Sequence, residues 1–149
     1  MAGYIKGGDK IDAYLRDLAA KVANGKAVKV GFLAGATYPD GKSVAMVAAI
    51  QNFGAPSRGI PPRPFFSRVI EEKSNGWGAA LALNMQLTDN NASVALGRVG
   101  EGIKGQLQQS IVETNSPPLA PSTVRRKGFD KPLVDTGHML NSVAYEVIS

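Results

Sequence analysis

His138 is the only histidine of this 149-residue chain, and Asp130 and Asp135 stand close to it in sequence. An imidazole among carboxylates is raw material for two chemistries. One is a small metal-dependent hydrolase using His138 and the nearby aspartates; the other is a Ser–His–Asp triad. A metal site of oxygen and nitrogen ligands needs three or more convergent groups, and the spacing assembles none. No serine sits in a nucleophile elbow. His138 therefore reads as a polar residue of a short surface helix, and Asp135 as the N-cap of a helix starting at Thr136. The neighbouring pair Glu71-Glu72 falls within a helical stretch, where adjacent side chains diverge, so it reads as a solvated face rather than an acid/base dyad. The glycines match neither a P-loop nor a dinucleotide fingerprint. The sequence thus predicts no enzyme, no cofactor and no metal.

Binding chemistry has one other candidate. Arg125-Arg126-Lys127, with Lys131 close by and Phe129 as the aromatic, is the densest basic cluster. Such a cluster can meet nucleic-acid phosphates or dock an acidic protein, although most clusters of this size are simply solvated. A basic nucleic-acid-binding module using residues 125–131 is the alternative reading of the whole chain. The net charge of +5 does not concentrate there: residues 1–75 carry 11 Lys+Arg against 6 Asp+Glu, and residues 76–149 carry 6 against 6.

The elements that must position these residues follow from hydrophobic spacing. Residues 9–24 predict an amphipathic helix with Asp9 as N-cap, because Ile11, Tyr14, Leu15, Leu18, Ala19 and Val22 share one face. Residues 26–33 alternate as a strand. Tyr38-Pro39-Asp40-Gly41 is a turn inside a loop, 34–42, and Ser43 caps a short helix that Gly54 ends. Residues 54–63 predict an ordered irregular loop, or an extended hairpin arm. A long helix then runs from Pro64 to about 88, with a possible break at Ser74-Asn75-Gly76. After a turn at Asp89-Asn90-Asn91, a second long helix, about 92–114, carries Val99, Ile103, Leu107 and Ile111 at steps of four. Its glycines 97, 100, 102 and 105 offer close backbone approach. Residues 115–132 form a second irregular region, with one helical turn at 122–127. A short helix near 136–141 and a strand, 142–148, close the chain. The expected fold class is α+β: an antiparallel β-sheet packed by two or more long helices, with extended loops, in a single domain over 1–149.

Composition fits that reading. The chain is 44% hydrophobic and 19% charged and lacks cysteine, so neither disulfides nor thiolate metal sites hold it together. A reducing cytoplasm is the expected place of synthesis. No apolar run approaches the length of a membrane span, and the N-terminus lacks the apolar core of a signal peptide.

Two segments remain that catalysis does not explain. The first reads Ala48-Ala49-Ile50-Gln51-Asn52-Phe53-Gly54, then Ile60-Pro61-Pro62-Arg63-Pro64-Phe65-Phe66. The second runs from Leu119 and Thr123 through Arg125-Arg126-Lys127 to Pro132-Leu133-Val134-Asp135-Thr136-Gly137-His138-Met139-Leu140-Asn141-Ser142. In order and rough spacing they resemble the bacteriophage neck and tail-completion proteins, the group of minor tail component and virion morphogenesis proteins, from about residue 28 to the end. That resemblance implies a non-enzymatic virion protein of the head–tail connector, made in the bacterial host cytoplasm. It implies a homo-oligomeric, often hexameric, ring around the DNA channel, meeting neighbouring connector and tail-tube proteins, with non-specific DNA contact possible and no membrane. Neck, tail-completion and tail-terminator rings share these motifs.

The residue types suggest roles inside those segments. Pro61, Pro62 and Pro64 hold an extended stretch whose docking costs little entropy. Phe65 and Phe66 are its anchors. Arg63, rigid between prolines, is suited to a carboxylate of its own or a neighbouring subunit, or to a helix-end carbonyl. Phe53 and Gly54 close the preceding helix, and Thr136-Gly137 start the last one, turning Met139 and Leu140 inward. Loops 34–42 and 54–63 are the candidate inter-subunit or lumen contacts.

Overall fold

The computed structural model of the chain describes residues 7–114 and 137–149. Its centre is a pair of long helices, α3 (Phe65–Leu87) and α4 (Ala92–Glu113), packed on an antiparallel pair of strands, β1 (Ala27–Phe32) and β2 (Val143–Ile148). Around them lie α1 (Gly8–Ala23), α2 (Val44–Phe53), a 3-10 turn at Pro56–Arg58 and the short α5 (His138–Asn141). The fold is α+β.

The four-step repeat of α4 explains its place. Val99, Leu107 and Ile111 are buried, and Ile103 is half-buried on the same stripe. The strands answer with period two. Their register sets Val28 against Val147, Val30 against Tyr145 and Phe32 against Val143, which aligns these six residues on one face. That face meets α4: a Cβ on Gly100 would fall 2.7 Å from Val28 Cγ2 and 2.9 Å from the Tyr145 ring. Only glycine allows this approach. Gly102 and Gly105, by contrast, face open space.

The main core joins Val44 and Ala48 of α2, Phe65 and Val69 of α3, Leu107 and Ile111 of α4, Met139 of α5 and Val143 of β2. Phe65 is fully buried, with Phe32 and Phe66 edge-on at 6.3 and 6.4 Å between ring centroids. Burying such a ring contributes about 1.5–3 kcal/mol, so this one anchor outweighs any single hydrogen bond near it.

Several sequence expectations change. α3 runs without a break through Ser74-Asn75-Gly76, and a Cβ at Gly76 or Gly78 would meet nothing within 4 Å. Gly7, at φ 96°, occupies the N-cap of α1, and Asp9 lies inside the first turn, where its carboxylate favours the helix dipole. α5 starts at His138, two residues beyond Thr136, with Gly137 at φ 72° as its N-cap. The turn at Asp89-Asn90 is present, both residues adopting positive φ. No helix among the described residues is long and apolar enough to cross a membrane.

The expected apolar stripe of α1 forms but is largely uncovered among the described residues, with Leu18 half-buried. Ile11, Tyr14, Leu15 and Val22 are 54%, 64%, 53% and 43% exposed, and the helix has no buried residue. The polar bonds at its C-terminal end are these. Asn24 Oδ1 accepts from Ser93 N (2.7 Å), Asn24 Nδ2 donates to Asn91 Oδ1 (2.9 Å), and Lys21 Nζ pairs with Asp89 and Asp17.

Candidate interaction surface

The segment from Gln51 to Ser67 is built as a clamp. Proline at 64 offers no side-chain cap, so the first turn of α3 needs acceptors from elsewhere. Asn52, buried at the end of α2, supplies one: its Oδ1 accepts from Phe66 N (3.0 Å) and Ser67 N (3.1 Å), while its Nδ2 donates to Ser67 Oγ (2.8 Å). Phe65 N bonds Arg63 O and Arg68 N bonds Pro64 O, so the early amides of α3 are accounted for. Asn52 caps a helix that begins more than ten residues after it. The sequence alone does not mark this residue as a cap, because the amides it caps lie across a loop.

Arg63 is likewise buried. Its backbone N–H donates to Gln51 O (2.7 Å) and its Nη1 to Gln51 Oε1 (3.3 Å), close to the helix-end bond considered from sequence. Burial pushes its pKa down, yet a guanidinium stays charged at any working pH. Ser110 Oγ of α4 donates to Phe65 O (2.7 Å) and ties the clamp to the central helix.

Between the two ends of the clamp, residues 55–60 close on themselves. Ala55 and Ile60 exchange both backbone hydrogen bonds, at 2.8 and 3.1 Å, around the 3-10 turn. The loop is thus a tight knuckle rather than a long arm. Gly54 makes it possible: at φ 76°, its missing Cβ would sit 2.8 Å from Pro62 N and 2.9 Å from Ile60 O. Pro61, Pro62 and Pro64 are exposed along the clamp's outer side. Phe53 is 73% exposed although its neighbour Asn52 is buried. Phe65 anchors, then, and Phe53 is presented.

Loop 34–42 is ordered by its turn. Gly41 N bonds Tyr38 O (2.9 Å), Tyr38 N bonds Lys42 O (2.8 Å), and Thr37 pairs with Ser43. Lys42 N donates to Asp40 Oδ1 (3.0 Å), which is the main reason the Asp40 carboxyl lies below its ordinary pKa, with Lys42's charge a smaller contribution. His138 pins this loop to α5. Its Nε2 is 2.7 Å from Thr37 O, and its ring stacks obliquely on Tyr38 at 4.9 Å. A carbonyl accepts, so Nε2 carries the proton. His138 acts here as a structural link. Among the described residues, no group of three or more His, Cys, Asp or Glu could hold a metal ion.

Of the other residues singled out from sequence, Gly137 is placed as the α5 cap. Asp135, Thr136, Arg125, Arg126, Lys127 and Lys131 lie outside the described residues. What the structure brings together is Phe53, Gly54, Pro61, Pro62, Arg63, Pro64 and Phe65, in one knuckle whose inner side is bonded and whose outer side is exposed among the described residues. Comparison with protein-family models, curated proteins and solved structures finds no match.

Proposed function

We propose that this chain is a structural virion protein of the phage head–tail connector, a subunit of a homo-oligomeric ring around the DNA channel that joins capsid to tail. The observation that carries the reading is the ordered pair of motifs, Asn52-Phe53-Gly54 with Ile60-Pro61-Pro62-Arg63-Pro64-Phe65 and, later, Pro132-Leu133 with Thr136-Gly137. Their physical design supports it. The first motif spends its buried groups, Asn52, Arg63 and Phe65, on fixing a knuckle to the core and leaves Phe53 and three prolines outside. A surface held this rigidly loses little entropy when it docks, which suits permanent assembly. The neighbouring connector and tail-tube proteins are the partners under this reading, and the virion is its location.

The test is assembly. In the phage that encodes the chain, an allele that abolishes it should leave filled heads and free tails, and supplying the protein in trans should restore joining. Variants at Phe53 that fold normally but fail to restore joining would place the contact on the knuckle.

A further inference from the structure

Three Asx-Gly pairs fall within the described residues: Asn24-Gly25, Asp40-Gly41 and Asn75-Gly76. An asparagine before glycine is among the most labile pairs of a polypeptide, because no side chain screens the glycine amide from the asparagine carbonyl. We propose that Asn24-Gly25 is a latent deamidation site, held shut by the junction of α1 with α4 and converted irreversibly when that junction opens. The proposal stands apart from the connector reading. The reaction needs only water and base. Gly25 N gives up its proton to solvent base and attacks Asn24 Cγ; the Cγ–Nδ2 bond breaks, ammonia leaves, and a succinimide ring closes. Water then opens the ring at Cγ, giving aspartate, or at the Asn24 backbone carbonyl, giving isoaspartate, whose main chain runs through Cβ. Amide and water become acid and ammonia, with nothing oxidised or reduced.

The junction holds the reacting groups ready but apart. No backbone acceptor engages the Gly25 N–H among the described residues, so the nucleophile is not spent. Asn24 Oδ1 accepts from Ser93 N at the start of α4 (2.7 Å), which polarises the carbonyl under attack. The torsion is wrong, however. The imide ring is planar, so Gly25 N must eclipse Asn24 Cβ; at ψ −2° it eclipses Asn24 N instead, and the Cα–C bond has to turn before the atoms meet. Two contacts oppose that turn. Asn24 Nδ2 donates to Asn91 Oδ1 (2.9 Å), and Gly25 is buried where a Cβ would lie 2.9 Å from Ser93 N and Cα. The other pairs are restrained differently. The Gly76 amide lies inside α3, within its hydrogen-bond ladder, and Gly41 N donates to Tyr38 O (2.9 Å) beside a carboxylate, which resists attack. The products cannot restore the junction. Isoaspartate lengthens the backbone by a methylene where there is no room for a single Cβ. Aspartate can still accept from Ser93 N, but it loses the donor and sets an oxygen against Asn91 Oδ1, which already accepts from Val94 N (3.2 Å). Deamidation at Asn24 is therefore a one-way mark of opening.

The full chain supplies its own control, since Asn75-Gly76 is the same dipeptide in another setting. The chain is incubated at mildly alkaline pH, folded or in urea, and aspartate and isoaspartate at both positions are followed by peptide mapping and mass spectrometry. In urea the two asparagines should convert at similar rates. In the folded chain Asn24 should slow by about tenfold or more, since two hydrogen bonds and the Gly25 packing must give way together. Asn91→Ser keeps a good N-cap for α4 but is too short to accept from Asn24 Nδ2. It should speed Asn24 by about two- to tenfold, the worth of one ordinary hydrogen bond, and leave Asn75 unchanged. Chains carrying isoaspartate at 24 should show faster amide exchange through α1 and at Ser93 than unmodified chains, with Asn24→Asp between the two. Conversion of Asn24 in the folded chain at its rate in urea would overturn the proposal. So would an Asn91→Ser chain in which Asn24 is no faster, or in which both asparagines speed up alike. Isoaspartate chains with unmodified exchange in α1 would also overturn it, because the mark would then leave the junction closed.

Discussion

Replacing Asn52 by alanine removes three hydrogen bonds from the root of the knuckle. Two are cap bonds to the Phe66 and Ser67 amides at 3.0 and 3.1 Å, and the third runs to Ser67 Oγ at 2.8 Å. Losing a cap costs about 1–2 kcal/mol and the remaining bond about 0.5–1.5 kcal/mol, giving about 2–3 kcal/mol in all. Phe53, the next residue, is 73% exposed, so Phe53→Ser should change stability by less than about 0.5 kcal/mol. Asn52→Asp keeps the acceptor at a helix N-terminus and loses only the donor, so it should fall between the two. Urea titration followed by circular dichroism separates these outcomes: the midpoint should drop for Asn52→Ala at unchanged slope. Equal midpoints for Asn52→Ala and Phe53→Ser would refute the clamp, as would a Phe53 variant that is the more damaging of the two.

Three further outcomes follow from local geometry. Gly54→Ala should cost about 2–4 kcal/mol, since it combines a strained φ with contacts below 3 Å, while Gly59→Ala, with positive φ but open space around it, should cost about 1–2 kcal/mol by the same urea assay. Gly100→Ala should destabilise by about 1–3 kcal/mol through Val28 and Tyr145, whereas Gly105→Ala, facing nothing, should stabilise by about 0.5–1 kcal/mol; thermal melts report both. The Asp40 carboxyl should titrate below the ordinary aspartate range by NMR, and Lys42→Ala should leave most of that depression, because the backbone amide causes more of it than the lysine charge. The sign follows from the lowered folded pKa: any stabilisation of the turn is present above the unfolded value and is lost as pH falls through the folded one.

Much of the fold was legible because periodicity is a local property. The stripe Val99, Ile103, Leu107, Ile111 predicted α4 and its apolar face, and alternation grouped Val143, Tyr145 and Val147 on one side of β2, while only the fold showed that this side meets α4. Ser43 was readable as a cap because it contacts Met46 three residues on. Asn52 was not, since its partners lie across a loop and nothing local marks it. The glycines of α4 looked alike in sequence, yet only Gly100 lies under the sheet at close range; which glycine faces a neighbour is decided by packing. α1 shows the converse. Its stripe was legible, but a stripe says only that a face is apolar, not whether the chain itself covers it. In the knuckle, the anchor role of Phe65 could be read from its type and setting, while the burial of Arg63 against Gln51 required the fold.

The central claim, that this chain is a ring subunit at the head–tail joint, is tested most directly by electron microscopy of particles made without it. The account predicts separated heads and tails, rejoined when the protein is supplied. Complete, joined virions in its absence would contradict it.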